Sequence, residues 1–202
     1  AGFSHAADLE VSGWIPYWQD TLGVKSATKQ MKKLDMVYPF AFTVKSDGSL
    51  SDEADLDESK WKRFFKLAEK RRVEVIPSVM SSDGANIHRI LSDENLRENH
   101  IGHIIDMVED GDFDGVNIDY ESKTSETKDY FSLFLAELAI AIDDKWLSCT
   151  IEARTPVPDR YTGTPPASAY QFANDYPSIG RACDSVRIMT YDQQTADQKL
   201  NA

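Results

Sequence analysis

A chain of 202 residues is long enough to fold as one domain around a sizeable core. With 41% hydrophobic and 10% aromatic residues it has neither the composition of a disordered segment nor that of a membrane span. Its formal net charge is −12. No Lys/Arg-rich stripe is expected to offset that charge, so nucleic acid is not an expected partner, whereas a neutral polymer such as a polysaccharide is compatible.

The opening segment, AGFSHAADLE, carries no basic-plus-apolar leader. Short apolar runs then recur at Leu9–Ile15, Asp35–Val44, Val73–Met80, Gly115–Tyr120, Ser148–Ala153 and Ser185–Tyr191, each bounded by charged or turn residues, as buried parallel strands are. Amphipathic helices fall between them. Trp61, Phe64, Phe65 and Ala68 share one face at i, i+3, i+4, i+7. Ser92 or Asp93 can cap a helix carrying Leu96, Ile101, Ile104, Ile105 and Val108. Phe131, Phe134, Leu135, Leu138 and Ile142 form the stripe of a further helix. Pro156, Pro158, Pro165 and Pro166 mark a long loop, and no linker or repeat divides the chain. Six β–α units in series predict a parallel sheet wrapped by helices, either doubly wound or curled into a barrel. No GxGxxG follows the first strand, which disfavours the dinucleotide-binding version.

His5, His88, His100 and His103 are scattered without a metal-ligand pattern, and His100 with His103 is expected on a polar, solvated helix face. No metal or cofactor is expected. Cys149 and Cys183 have no CxxC spacing and leave the compartment open.

The fourth strand carries the chemistry. It reads Phe113-Asp114-Gly115-Val116-Asn117-Ile118-Asp119-Tyr120-Glu121. Strand alternation puts Asn117, Asp119 and Glu121 on one face and Val116, Ile118 and Tyr120 on the other. A polar row on the inner face of a buried strand is costly unless it is paired, which points to function. Asp114 has the opposite parity and is expected to be structural. Trp14, Tyr17 and Trp18 lie at the end of the first strand, where their aromatic faces can stack on a ligand or simply pack against the core. Ser78 should reach Asn117 across neighbouring strands, and Glu152 and Arg154 either line the cleft or pair with each other.

The stretch DGVNIDYE resembles the DGxDxDxE signature of glycoside hydrolase family 18, the chitinases and related N-acetylglucosaminidases. VSGWIPYW is similar to that family's first strand, VIPSVMSSDG to its third and VRIMTYD to its MxYD sixth strand, and DYPSIGRACDSVRIMTYDQ is similar to bacterial members that act on spore or cell-wall peptidoglycan. The resemblance implies an α/β fold of the TIM (β/α)8-barrel type, truncated after the sixth β/α unit, with residues 1–202 as three quarters of a catalytic domain. It implies hydrolysis of β-1,4 linkages beside N-acetylglucosamine by a substrate-assisted retaining mechanism. Glu121 would protonate the leaving oxygen, Asp119 would orient the substrate acetamide, Tyr191 would bond the acetamide oxygen, Asp192 would bond a hydroxyl, and Met189 would line the pocket floor. The expected partner is a polysaccharide or oligosaccharide containing N-acetylglucosamine, acting outside the cell or at its envelope, with a further chain segment completing the barrel. A sugar-binding protein on the same scaffold is the competing reading, and the presence of both Asp119 and Glu121 favours the enzyme.

The sequence departs from the family's pattern at Asn117, where an aspartate is usual. An amide there should hydrogen-bond Asp119 without repelling it, so that Asp119 ionises more readily. The seventh and eighth units are also missing, which predicts that the first and sixth strands lack neighbours.

Overall fold

In the computed structural model, residues 9–154 and 156–190 are described. Six strands form a parallel sheet in the order β1 (Ser12–Pro16), β2 (Met36–Val44), β5 (Ser78–Ser81), β6 (Gly115–Tyr120), β7 (Trp146–Glu152) and β8 (Ser185–Met189). Two short strands attach to β2: β3 (Leu50–Asp52), antiparallel, and β4 (Glu74–Val75), parallel. The expected third strand is therefore interrupted at Ile76-Pro77, where proline has no N–H to give to a ladder.

Helices α1 (Asp20–Gln30), α2 (Ser59–Arg71), α3 (Gly84–Ser92), α4 (Glu94–Asp110), α5 (Lys128–Ala141), α6 (Val157–Arg160) and α7 (Tyr176–Ala182) connect the strands. The stripes are buried where they were expected: Trp61, Phe64 and Ala68 on α2, and Phe131, Phe134, Leu135 and Leu138 on α5. Asp93 caps α4 by accepting the Leu96 N–H at 3.0 Å. Helix α3 was not anticipated; its own cap, Asp83, accepts the Asn86 N–H.

The main core lies between the outer face of the sheet and the helices, and includes Val116, Ile118 and Tyr120 of β6. A smaller apolar cluster of Met36, Tyr38 and Ile76 stands apart from it, with Trp146 packed alongside. Above that cluster the sheet's concave face turns polar. Asp114 takes the structural role expected for it, accepting the Val75 N–H at 2.8 Å.

Among the described residues β1 pairs only with β2 and β8 only with β7, so both flanking strands keep an open edge. The outward residues of β8, Val186 and Ile188, are 38% and 50% exposed. Arg187 reaches across the opening instead. It donates to Ser148 Oγ at 2.8 Å and Glu10 Oε1 at 2.6 Å, with its guanidinium over the Tyr38 ring.

Two expectations are corrected. His100 is not solvated but fully buried: Nδ1 donates to the Gly48 carbonyl at 2.6 Å, so Nε2 accepts from the Tyr120 hydroxyl at 2.5 Å. Burial pushes its pKa down to about 4, consistent with the neutral ring that this bonding requires. His103 is exposed, as expected. The second correction concerns charge. Segments 21–33 and 59–72 hold eleven of the chain's 22 lysines and arginines but one of its 34 acids, Glu69. Because α1 and α2 pack side by side, these cations do form a basic stripe.

The structure also decides the pairing of the cysteines, which the sequence left open. Cys149, buried on the outer face of β7, is disulfide-bonded to Cys183 just after α7, across 34 residues. A cross-link of that span restricts the unfolded chain, so Cys149→Ser should lower unfolding stability by about 3–4 kcal/mol in urea titrations. An equal midpoint for wild type with and without reductant would show that the bridge contributes nothing.

Candidate active site

Strand β6 is central and entirely buried, which forces each inward polar group to find a partner or remain orphaned. Its register aligns Asn117 with Ser78 and Ser148, and Asp119 with Met80 and Thr150. Asn117 Nδ2 donates to Ser78 Oγ at 2.9 Å, as anticipated, and Asn117 Oδ1 accepts from Thr150 Oγ1 at 3.0 Å. The expected bond from Asn117 to Asp119 is therefore corrected: the amide is held by β5 and β7.

Asp119 is 4% exposed, and among the described residues its Oδ1 has no hydrogen-bond partner. Burial first, then the neighbouring charge of Glu121, raises its pKa to about 7. Removing a carboxylate at position 117 does not leave Asp119 readily ionised, because desolvation outweighs that loss of repulsion. The linkage has a definite sign. An unfolded aspartate titrates near ~3.9, so between that pH and about 7 the folded chain binds more protons than the unfolded one. Asp119 thus favours the fold most at the acidic end, and that contribution declines as pH rises through the window. Asp119→Asn should flatten the decline, read as the difference in Tm between pH 5 and pH 8. An unchanged difference would rule out this environment.

Glu121 is half-buried at the rim, one step beyond the end of β6. The backbone around it is fixed from four sides. Its N–H donates to Ser81 O at 2.8 Å. Lys123 Nζ donates to the Tyr120 carbonyl. The Ser122 N–H donates to Glu152 Oε1 at 2.9 Å. Ser122 has a left-handed φ of 58°, and its carbonyl lies so close to Gly84 that a Cβ there would come within 2.1 Å of it.

Lys123 was missed by the sequence reading, although a lysine two residues after the acidic row was the available signal. Its side chain is buried over the Phe131 ring, with Nζ 3.9 Å from Glu152 Oε2. Burial pulls its pKa down, opposed by Glu152, Asp119 and Glu121. Burial works to raise the Glu152 carboxyl, but Lys123 and hydrogen bonds from Asn174 and Ser122 outweigh it and hold it low. Glu152 therefore pairs with Lys123 and not with Arg154. Arg154 lies between the Phe172 and Tyr176 rings, 3.7 and 4.2 Å from their centroids, and donates to Asn174 O.

Trp14, Tyr17 and Trp18 gather at the end of β1. Trp14 is 41% and Trp18 61% exposed, while Tyr17 packs on the core and edge-on against Trp18. Met189 is half-buried on β8, in register with Glu152. Tyr191 and Asp192 lie outside the described residues.

Across residues 12–202 the sequence matches the family described as Glycosyl hydrolases family 18. The chain belongs to that family. A Bacillus subtilis (strain 168) protein described as the uncharacterized glycosylase YvbX is 21% identical over 175 residues, covering 86% of this chain and 49% of that protein. The chain therefore spans about half the length of that relative. Among solved structures, the spore cortex-lytic enzyme SleL of Bacillus cereus superposes with a TM-score of 0.74 at 20% identity, over 92% of this chain and 41% of that one. A class V chitinase from Pseudomonas fluorescens Pf-5 superposes with a TM-score of 0.76 at 21% identity, over 90% and 54%. At these identities the superpositions establish the fold: a curled parallel sheet with helices outside, built on the family 18 barrel plan.

Proposed function

We propose that this chain is part of the catalytic domain of a glycosidase that cleaves β-1,4 linkages beside N-acetylglucosamine, with the substrate's own acetamide as nucleophile. The observation that carries the reading is the orphaned, buried Asp119 oxygen on the concave face, below a rim carboxylate whose backbone is fixed on all sides. A buried acceptor of this kind lacks the donor that an acetamide N–H would supply. On this reading Glu121 donates its proton to the glycosidic oxygen as the C–O bond breaks. The acetamide oxygen attacks the anomeric carbon, and Asp119 stabilises the charge that develops on the acetamide nitrogen. Water then opens the oxazolinium ring with Glu121 accepting the proton, so configuration is retained. Met189, Trp14, Tyr17 and Trp18 supply apolar surface for sugar rings. Tyr191 and Asp192 complete the proposed set, bonding the acetamide oxygen and a hydroxyl. Two further strands, from more of the same chain or from another, would cover the edges of β1 and β8. The disulfide supports action in an oxidising compartment, outside the cell or in its envelope.

The discriminating test uses oligomers of N-acetylglucosamine and glycan strands of peptidoglycan side by side, followed by NMR of the first-formed anomer. Retention, together with loss of cleavage when the N-acetyl group of the attacked unit is replaced by a free amine, is the expected result. Cleavage of the free-amine substrate at an equal rate would eliminate the acetamide mechanism.

A further inference from the structure

The basic stripe on α1 and α2 has no role in the chemistry above. Lys25, Lys29 and Lys33 recur at intervals of four residues along the exposed side of α1 and its extension, and Arg63, Lys66 and Lys70 follow at i, i+3, i+7 along α2. All six are exposed, and among the described residues none lies within ion-pair distance of a carboxylate. Lys60 differs: it joins Asp20 at 2.6 Å and Glu58 at 2.7 Å, tying the start of α2 to the start of α1. Helix dipoles account for cations in the last turns, such as Lys29 and Lys70. They do not account for Arg63 and Lys66, which stand before the last turn of α2, nor for Lys25 in the middle of α1. Crowding unpaired like charge onto one flank of a chain with net charge −12 is unfavourable for the isolated protein and favourable beside a polyanion.

The stripe also begins on the helix that follows the aromatic cluster at the end of β1. Trp18, 61% exposed, lies in the turn that leads directly into α1. A glycan leaving the rim over that ring runs onto the cationic flank. We infer that the α1–α2 flank docks the protein onto peptidoglycan, its cations engaging carboxylates carried by the same polymer whose strands enter the cleft. This inference rests on the N-acetylglucosamine glycosidase reading and narrows it to an anionic substrate, since chitin offers no such charges.

Binding is measured by co-sedimentation of the 202-residue chain. The three matrices are peptidoglycan stripped of phosphate polymers, the same material with its carboxylates amidated, and chitin, each at about 20 mM and about 300 mM salt. The comparison is with a variant carrying Lys25→Glu, Lys29→Glu, Arg63→Glu and Lys66→Glu, and with a milder one in which the four become Gln; matching melting curves verify that both fold. The wild type should bind stripped peptidoglycan at low salt and lose about tenfold or more in affinity at high salt, on amidation, or on charge reversal. The Gln variant should fall between. Equal sedimentation by all three proteins, or binding to chitin and to amidated material as tight as to stripped peptidoglycan, overturns the inference. Tighter binding to duplex DNA or anionic vesicles than to peptidoglycan overturns the choice of partner. Because sedimentation needs no turnover, a failure of the glycosidase reading appears only in the hydrolysis of uncharged oligomers, which the Glu variant should cleave as the wild type does.

Discussion

On the proposed mechanism, Glu121→Gln should lower hydrolysis by the complete enzyme by about 10²-fold or more and leave sugar binding in place. The amide keeps the size of the carboxyl and can still donate a hydrogen bond, but it has no proton to transfer to the leaving oxygen. Because the backbone at this position is held by Ser81, Lys123 and Glu152, the substituted side chain keeps its starting point, and the loss reads on chemistry and not on placement. The split is measurable as a fall in kcat at nearly constant KM, with oligosaccharide affinity unchanged by calorimetry. Near-wild-type kcat in the glutamine protein would remove Glu121 from the mechanism.

Lys123→Met produces the next largest effect, and it moves two quantities. Lys123 is a cation whose field reaches Asp119, Glu121 and Glu152 together. Without it, ionisation of Asp119 becomes still less favourable than its pKa of about 7 already makes it, so the acidic limb of kcat/KM moves to higher pH. Stability falls as well, by about 1–3 kcal/mol, because the Tyr120 carbonyl loses a buried donor. Glu152→Gln removes a negative charge that raises Asp119, so its acidic limb should move to lower pH. Opposite displacements in the two pH profiles are the electrostatic signature. Profiles that lose amplitude without moving would show that Lys123 and Glu152 only brace the loop.

Much of this was readable in the chain because the information was local. Alternating parity along β6 put Asn117, Asp119 and Glu121 on one face, and helical spacing located the stripes of α2 and α5. The reach of Ser78 to Asn117 followed from adjacent strands of a parallel sheet. His100 was misread because its own helix looks polar around it, whereas its partners, Gly48 and Tyr120, come from distant segments. Lys123 was passed over for a similar reason. A lysine after a strand is ordinarily solvated, and only the closure of Phe131 and Glu152 over it makes it part of the site.

The sequence by itself determined the six parallel strands, the order of the chemistry-bearing residues and the family, because strand parity, helix periodicity and motif spacing act over a few residues at a time. The tertiary structure decided the rest. It gave the amide of Asn117 to Ser78 and Thr150, and it left Asp119 buried with an orphaned oxygen and a pKa near 7. It joined Cys149 to Cys183 and turned two separate lysine-rich segments into one cationic flank. Each of these depends on desolvation or on contact between residues far apart in the chain, and neither quantity exists until the sheet has curled and the helices have closed over it.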